Sequence, residues 1–141
     1  MFVTTPLGRG QTAATLVGIG VLHAMWGSGS TFPFADRERL NDTVIGRDAT
    51  PSPSTCYAVA GLLVTAGALV AGLPSRPSRL RRVGVGTVAA VLGARAVLGF
   101  AGRTDLVSPG SVSEKFRDTD KRYFAPLCLA LALGAARSLR D

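Results

Sequence analysis

The chain alternates between long stretches without formal charge and short segments dense in charge. Arg9 to Asp36 encloses 26 uncharged residues and Asp48 to Arg76 encloses 27. Arg82 to Arg103 encloses 20 residues interrupted only by Arg95, and Arg122 to Arg137 encloses 14. A helix rises 1.5 Å per residue, so about 20 apolar residues cross about 30 Å of hydrocarbon. The first two windows exceed that length. The fourth, roughly 21 Å if helical, must gain length from Arg122 and Arg137, whose aliphatic stems can reach toward head groups. A soluble helix needs a polar stripe, and residues 58–73 (AVAGLLVTAGALVAGL) have none.

The pattern therefore predicts an all-α, polytopic membrane protein: one domain over 1–141, a bundle of four transmembrane helices near 10–29, 54–73, 83–102 and 122–139. The intervening longer loops are 30–53 and 103–121. Ser111 followed by Glu114 resembles a capping box that opens an amphipathic helix through Phe116 and Tyr123 before the fourth span, with Pro126 kinking or restarting the chain. The first apolar stretch reads as a retained helix rather than a signal peptide, because only Arg9 and the amino terminus precede it and no small-x-small cleavage site follows.

Composition adds compartment and orientation. Arginine occurs 14 times and lysine twice among 141 residues rich in Ala, Gly and Val, which suggests a GC-rich bacterial genome and hence a bacterial plasma membrane. The formal net charge is +7, yet the arginines bracket apolar stretches instead of forming a nucleic-acid surface, so no nucleic-acid partner is expected. Residues 74–82 place Arg76, Arg79, Arg81 and Arg82 close together. Basic density of this kind marks cytoplasmic flanks, so both termini are expected in the cytoplasm and the longer loops outside.

Polar residues inside the spans carry the candidate chemistry, since ionisable groups at membrane depth are costly and usually face the bundle interior. Arg95 is the foremost. Side chains on its helix lean toward the cytoplasmic end, which makes escape to outer water awkward, while Gly99 and Gly102 leave room beside it. A carboxylate from the third loop, Asp120, Asp118 or Glu114, is the expected partner. The pair would either fix helix packing or help bind a ligand. His23 and Trp26, one turn apart on the first span, and Tyr123 lie at similar depth, so His23, Trp26, Arg95, Asp118, Asp120 and Tyr123 form a candidate outward-facing pocket. Small residues four apart, Gly20-Ala24-Ser28, Gly86-Ala90-Ala94 and Ala130-Gly134, are candidate helix contacts.

A single histidine and two separated cysteines make a poor metal or haem set, and no cofactor is expected. Cys56 and Cys128 both fall toward the outer side, where a disulfide is one reading and two free buried thiols the other. Phosphate-loop, dinucleotide, nucleophile-elbow and zinc-protease motifs are missing from the sequence.

The order His23-Ala-x-Trp26-Gly27-x-Gly29, Phe32-Pro33 with Asp36-Arg37, Val44-x-Gly46 and Pro51 resembles a family of small actinobacterial four-helix integral membrane proteins known only as a domain of unknown function. Arg95 and Phe116-x-x-x-Asp120-x-x-Tyr123-x-x-Pro126-Leu127-Cys128 resemble that family's later motifs. The resemblance implies a four-span fold and no assigned activity. Two functional classes follow from the residues. One is a non-enzymatic bundle in the lipid bilayer that binds a small ligand or lipid, or serves as an accessory subunit of a larger membrane complex or homo-oligomer. The other is an outer-leaflet enzyme or redox protein using His23, Arg95, Asp120 and the two cysteines.

Overall fold

The computed structural model describes residues 7–46, 51–73, 79–103, 106 and 113–140. The described residues are mostly helical, with no strand among them. In chain order the elements are α1 (Arg9–Gly27), α2 (Arg37–Leu40), α3 (Pro53–Ala71), α4 (Arg79–Phe100), α5 (Glu114–Thr119) and α6 (Ala125–Ser138). Two π-helical turns extend short helices, Asn41–Ile45 after α2 and Asp120–Phe124 between α5 and α6.

Helix ends follow local chemistry. Ser52 caps α3 by accepting the Thr55 N–H, with Pro53 in the first turn, where a missing N–H costs nothing. At the other end Gly72 takes φ +104, and the Leu73 N–H reaches back to the Ala68 carbonyl, a left-handed closure that glycine makes without Cβ strain. Gly102 (φ +74) closes α4 in the same way, with Arg103 N–H donating to Leu98.

The start of α5 departs from expectation. Ser111 lies outside the described residues, and the capping side chain is Ser113, which accepts the Phe116 N–H at 3.2 Å. The Ser113 hydroxyl also donates to Asp42 at 3.0 Å. A second departure follows at Pro126. The amphipathic segment and the last helix are not separated by a break: helix, π turn and helix run continuously from Glu114 to Ser138. Pro126 has no N–H for the Arg122 carbonyl, and the wide turn before it, closed by Ala125 N–H to Asp120 O, absorbs that defect. At 1.5 Å per residue the joined rod measures roughly 37 Å, so the short uncharged window before Arg137 underestimates the helix that carries it. The third helix is longer as well. Arg79, Arg81 and Arg82, expected in a loop, occupy the first turn of α4.

The four long helices pack antiparallel in a ring. Small residues set the contacts between α1 and α3: a Cβ on Gly67 would come within 2.9 Å of the Ala13 carbonyl, and one on Gly20 within 3.0 Å of the Ala60 carbonyl. Gly84 of α4 meets Leu69 of α3, and Gly134 of α6 receives the Thr12 side chain of α1. The expected Gly20 and Gly134 contacts are therefore present. The Gly86-Ala90-Ala94 row is not one: nothing lies near Gly86, and Ala90 and Ala94 are exposed. Spacing alone could not say which side of an Ala-rich helix faces inward. Leu16, Ala66, Val70, Val85, Leu131 and Ala135 form the apolar core, near the end of the ring that holds the start of α1 and the end of α6.

Substitution at Gly67 separates close packing from general helix tolerance. Gly67→Ala should lower the unfolding temperature in detergent, since overpacking a tight contact typically costs about 1–3 kcal/mol. Gly61→Ala, on the same helix with open space at its Cα, should leave that temperature unchanged or raise it.

Candidate functional site

The most constrained polar feature is an ion pair between α4 and the turn that follows α5. Arg95 donates from Nη2 to Oδ1 of Asp120 at 2.7 Å and from Nη1 to Oδ2 at 3.2 Å. The planar guanidinium thus grips both carboxylate oxygens, an arrangement a lysine ammonium cannot reproduce. Asp120 is fully buried, and the Arg95 side chain is 23% exposed. Each charge removes the need to hydrate the other in a setting where either alone would be expensive.

Three local features make room for the pair. Gly99, one turn on from Arg95, has no side chain: a Cβ there would lie 2.9 Å from Oδ2 of Asp120, 3.0 Å from Nη1 of Arg95 and 2.7 Å from the Ala125 Cβ. The π turn begins at Asp120 itself. Phe116, only 2% exposed, anchors α5 one turn earlier and faces Phe124 with ring centroids 6.3 Å apart. Of the acids considered for Arg95, Asp120 makes the contact while Asp118 and Glu114 are exposed. Two residues along a helix rotate a side chain by roughly 200°, so Asp118 and Asp120 cannot both face Arg95.

The other expected pocket residues form a second group. His23 hydrogen-bonds through Nδ1 to the Ile19 carbonyl at 2.9 Å and meets Trp26 at 4.9 Å between ring centroids. Trp26 donates from Nε1 to the Phe32 carbonyl at 2.7 Å, tying the loop after α1 to its last turn. Tyr123 is exposed on the π turn. Among the described residues no hydrogen bond, ion pair or ring contact joins His23 or Trp26 to Arg95, Asp120 or Tyr123. The six residues are thus distributed over a buried pair, a loop tether and two exposed side chains.

Cys56 is buried on α3 and faces Gly27 of α1, and Cys128 is half-buried on α6, two turns beyond Asp120. Both are free thiols. Among the described residues no three of His, Cys, Asp and Glu converge at metal-binding spacing.

A contact that sequence reading missed joins the two longer loops. Asp42 accepts the Ser113 hydroxyl and lies 3.6 Å from the Lys115 ammonium, while the Ser113 N–H donates to the Gly46 carbonyl at 3.1 Å. Nothing in the local pattern near Asp42 announces a partner some seventy positions away, because the pairing depends on how the helices return the chain.

The model of the family described as "Protein of unknown function (DUF3995)" matches residues 16–135. The chain belongs to this family. Its matched region takes in His23, Trp26, Arg95, Asp118, Asp120 and Tyr123 as well as both cysteines. No curated protein and no solved structure matches the chain.

Arg95→Ala and Asp120→Ala should each lower the unfolding temperature in detergent, since removing one partner of a buried pair costs about 3–5 kcal/mol. The double variant should recover part of the loss, because neither charge is left alone. Arg95→Lys should rescue incompletely. Strictly additive losses in this double-mutant cycle would refute the coupling.

Proposed function

We propose that the chain is a multi-pass integral membrane protein with four helical spans, α1, α3, α4 and the rod from α5 to α6, with both termini cytoplasmic. It acts as a binding bundle or accessory subunit rather than as an enzyme. The observation that carries this reading is the outward face of α3 and α4. Both are long and apolar enough to cross a membrane, yet only 28% and 17% of the residues in their most apolar stretches are buried within the protein. Leu62, Val83, Val91 and Val97 are 71%, 59%, 62% and 66% exposed. Soluble monomers rarely show continuous apolar surface on this scale, whereas hydrocarbon solvates it.

The remaining two spans rest on weaker hydropathy and on packing. α1 has the length of α3 but includes Gln11, Thr12, Thr15 and His23. It packs along α3 through glycine contacts, which orders it across the same layer. α6 has 14 residues and reaches spanning length through the continuous rod that begins at Glu114. The non-enzymatic reading is supported by the mutual satisfaction of Arg95 and Asp120, which leaves the carboxylate committed to two hydrogen bonds rather than poised for proton transfer. A ligand approaching from the loop side would meet the exposed edge of Arg95, where its remaining donors could hold an anionic or carbonyl group.

Two measurements test the proposal. Alkaline extraction of membranes should leave the protein in the lipid fraction, and release into the soluble fraction would contradict it. In a Cys56→Ser, Cys128→Ser background, single cysteines placed within 36–50 should react with an impermeant thiol reagent in intact cells, while those within 74–82 should be protected. The reverse labelling would invert the orientation.

A further inference from the structure

Aromatic side chains are sorted along the bundle axis. Every aromatic residue among the described ones lies at the loop end, and the opposite end holds Arg9, Arg79, Arg81, Arg82, Arg137 and Arg140 with none. Each proposed span carries one aromatic near its loop end: Trp26 on α1, Tyr57 on α3, Phe100 on α4 and Tyr123 on the π turn that leads into α6. Tyr57, Phe100 and Tyr123 are exposed. Trp26 is half-buried, its Nε1 donating to the Phe32 carbonyl.

Packing puts these four residues at one level. A Cβ on Gly27 would lie 3.2 Å from the Tyr57 ring, so the last turn of α1 and Tyr57 share a depth. Gly99 meets both Asp120 and Ala125, which bracket Tyr123 and bring it level with Phe100. The two hairpins are in step as well. From the contact of Thr12 with Gly134, Trp26 lies 14 residues along α1, roughly 21 Å, and Tyr123 lies 11 residues back along the rod, roughly 17 Å. That difference is less than one helical turn.

The surface changes character on either side of this level. Toward the loops lie the charged residues of α2 and α5. Toward the arginine end the outward faces are aliphatic, with Val21, Leu62, Val64, Val91, Val97 and Leu133 exposed. Arg82 lies 18 residues before Phe100 and Arg9 lies 17 before Trp26, roughly 27 and 26 Å, close to the roughly 30 Å of hydrocarbon in a bilayer. Between Arg82 and Phe100 the one charged residue is Arg95, and its charge is matched by Asp120. Tyrosine and tryptophan combine an apolar body with a polar tip, which suits the boundary between hydrocarbon and headgroups.

We propose that Trp26, Tyr57, Phe100 and Tyr123 form a girdle that seats the bundle in the headgroup zone of the phospholipid leaflet facing the longer loops. The girdle rests on the four-span reading above and adds the depth at which the bundle rides. It places α2 and α5 above the hydrocarbon. The Arg95–Asp120 pair lies at the boundary itself, since Gly99 touches both groups and adjoins Phe100.

Depth-dependent fluorescence quenching tests this on the full chain. Single tryptophans are introduced by Tyr57→Trp, Phe100→Trp, Tyr123→Trp or Val91→Trp in a Trp26→Phe background, and the protein is reconstituted in phosphatidylcholine brominated either near the headgroup or near the chain ends. The three girdle positions should all be quenched more strongly by the shallow bromines. Val91→Trp, nine residues and roughly 14 Å deeper than Phe100, should prefer the deep bromines, changing the ratio of the two quenching efficiencies by about twofold. If Trp26→Phe does not fold, the lone tryptophan of the unaltered chain reports on α1. A bimane attached after Phe100→Cys or Val91→Cys in the Cys56→Ser, Cys128→Ser background then reports on α4. Equal ratios at positions 100 and 91, or girdle positions quenched from different depths, would overturn the girdle while leaving the chain in the membrane. Absence of quenching at every position, 91 included, would refute the membrane reading and the girdle with it.

Discussion

An arginine and an aspartate that share two hydrogen bonds inside an apolar bundle impose more on this chain than any other interaction. Their charges are tolerable together and costly apart, so α4 and the rod opposite it must meet at one register. Gly99 is required at that crossing because any side chain would strike both partners. The widened turn at Asp120 follows from the same demand combined with Pro126, which cannot complete an ordinary helical hydrogen bond. Burial of Phe116 and the Ser113 cap fix the approach to Asp120, and the Asp42 contacts carry that constraint to the loop between α1 and α3. A polar pair thus organises the loop end, while Leu16, Val70, Val85 and Leu131 fill the other.

Beyond that core, the helices are held by close approach at small residues. Glycine contacts bring α1 to within van der Waals range of the α3 backbone, and Thr12 lies against Gly134 where α1 meets α6. Dispersion between closely apposed backbones suits a setting in which lipid gives helices no hydrophobic reason to associate. Many large apolar side chains, Leu62, Val83, Val91, Val97 and Leu133 among them, nevertheless face outward. That outward apolar surface on α3 and α4 is what supports the membrane proposal.

Much of this was legible in the residues. Uncharged windows located α1, α3 and α4 to within a few positions at most ends, because a buried helix tolerates few formal charges. The requirement that Arg95 find a carboxylate, and the room left by Gly99, pointed to Asp120, Asp118 or Glu114 by chemistry alone. Choosing among them needed the helical phase of α5, which puts Asp118 on the exposed side. Other features were not local properties. The π turn reflects packing around Asp120, the cap at Ser113 depends on Asp42, and the inward face of α4 is set by neighbours rather than by small-residue spacing. The bonding partners of His23 and Trp26 were not legible for a related reason. Depth places a residue along a helix axis but says nothing about its direction around it, and His23 and Trp26 bond to the end of α1 and its following loop.

Solid-state NMR in lipid bilayers can address the pair at its atoms. A dipolar recoupling measurement between the guanidinium nitrogens of Arg95 and the carboxylate carbon of Asp120, with an Asp120→Asn sample to assign the signal, reports direct contact. The account predicts strong coupling from both Nη nitrogens, reflecting two simultaneous hydrogen bonds to an ionised carboxylate. Coupling no larger than the natural-abundance background, in protein shown to be folded and embedded, would contradict it.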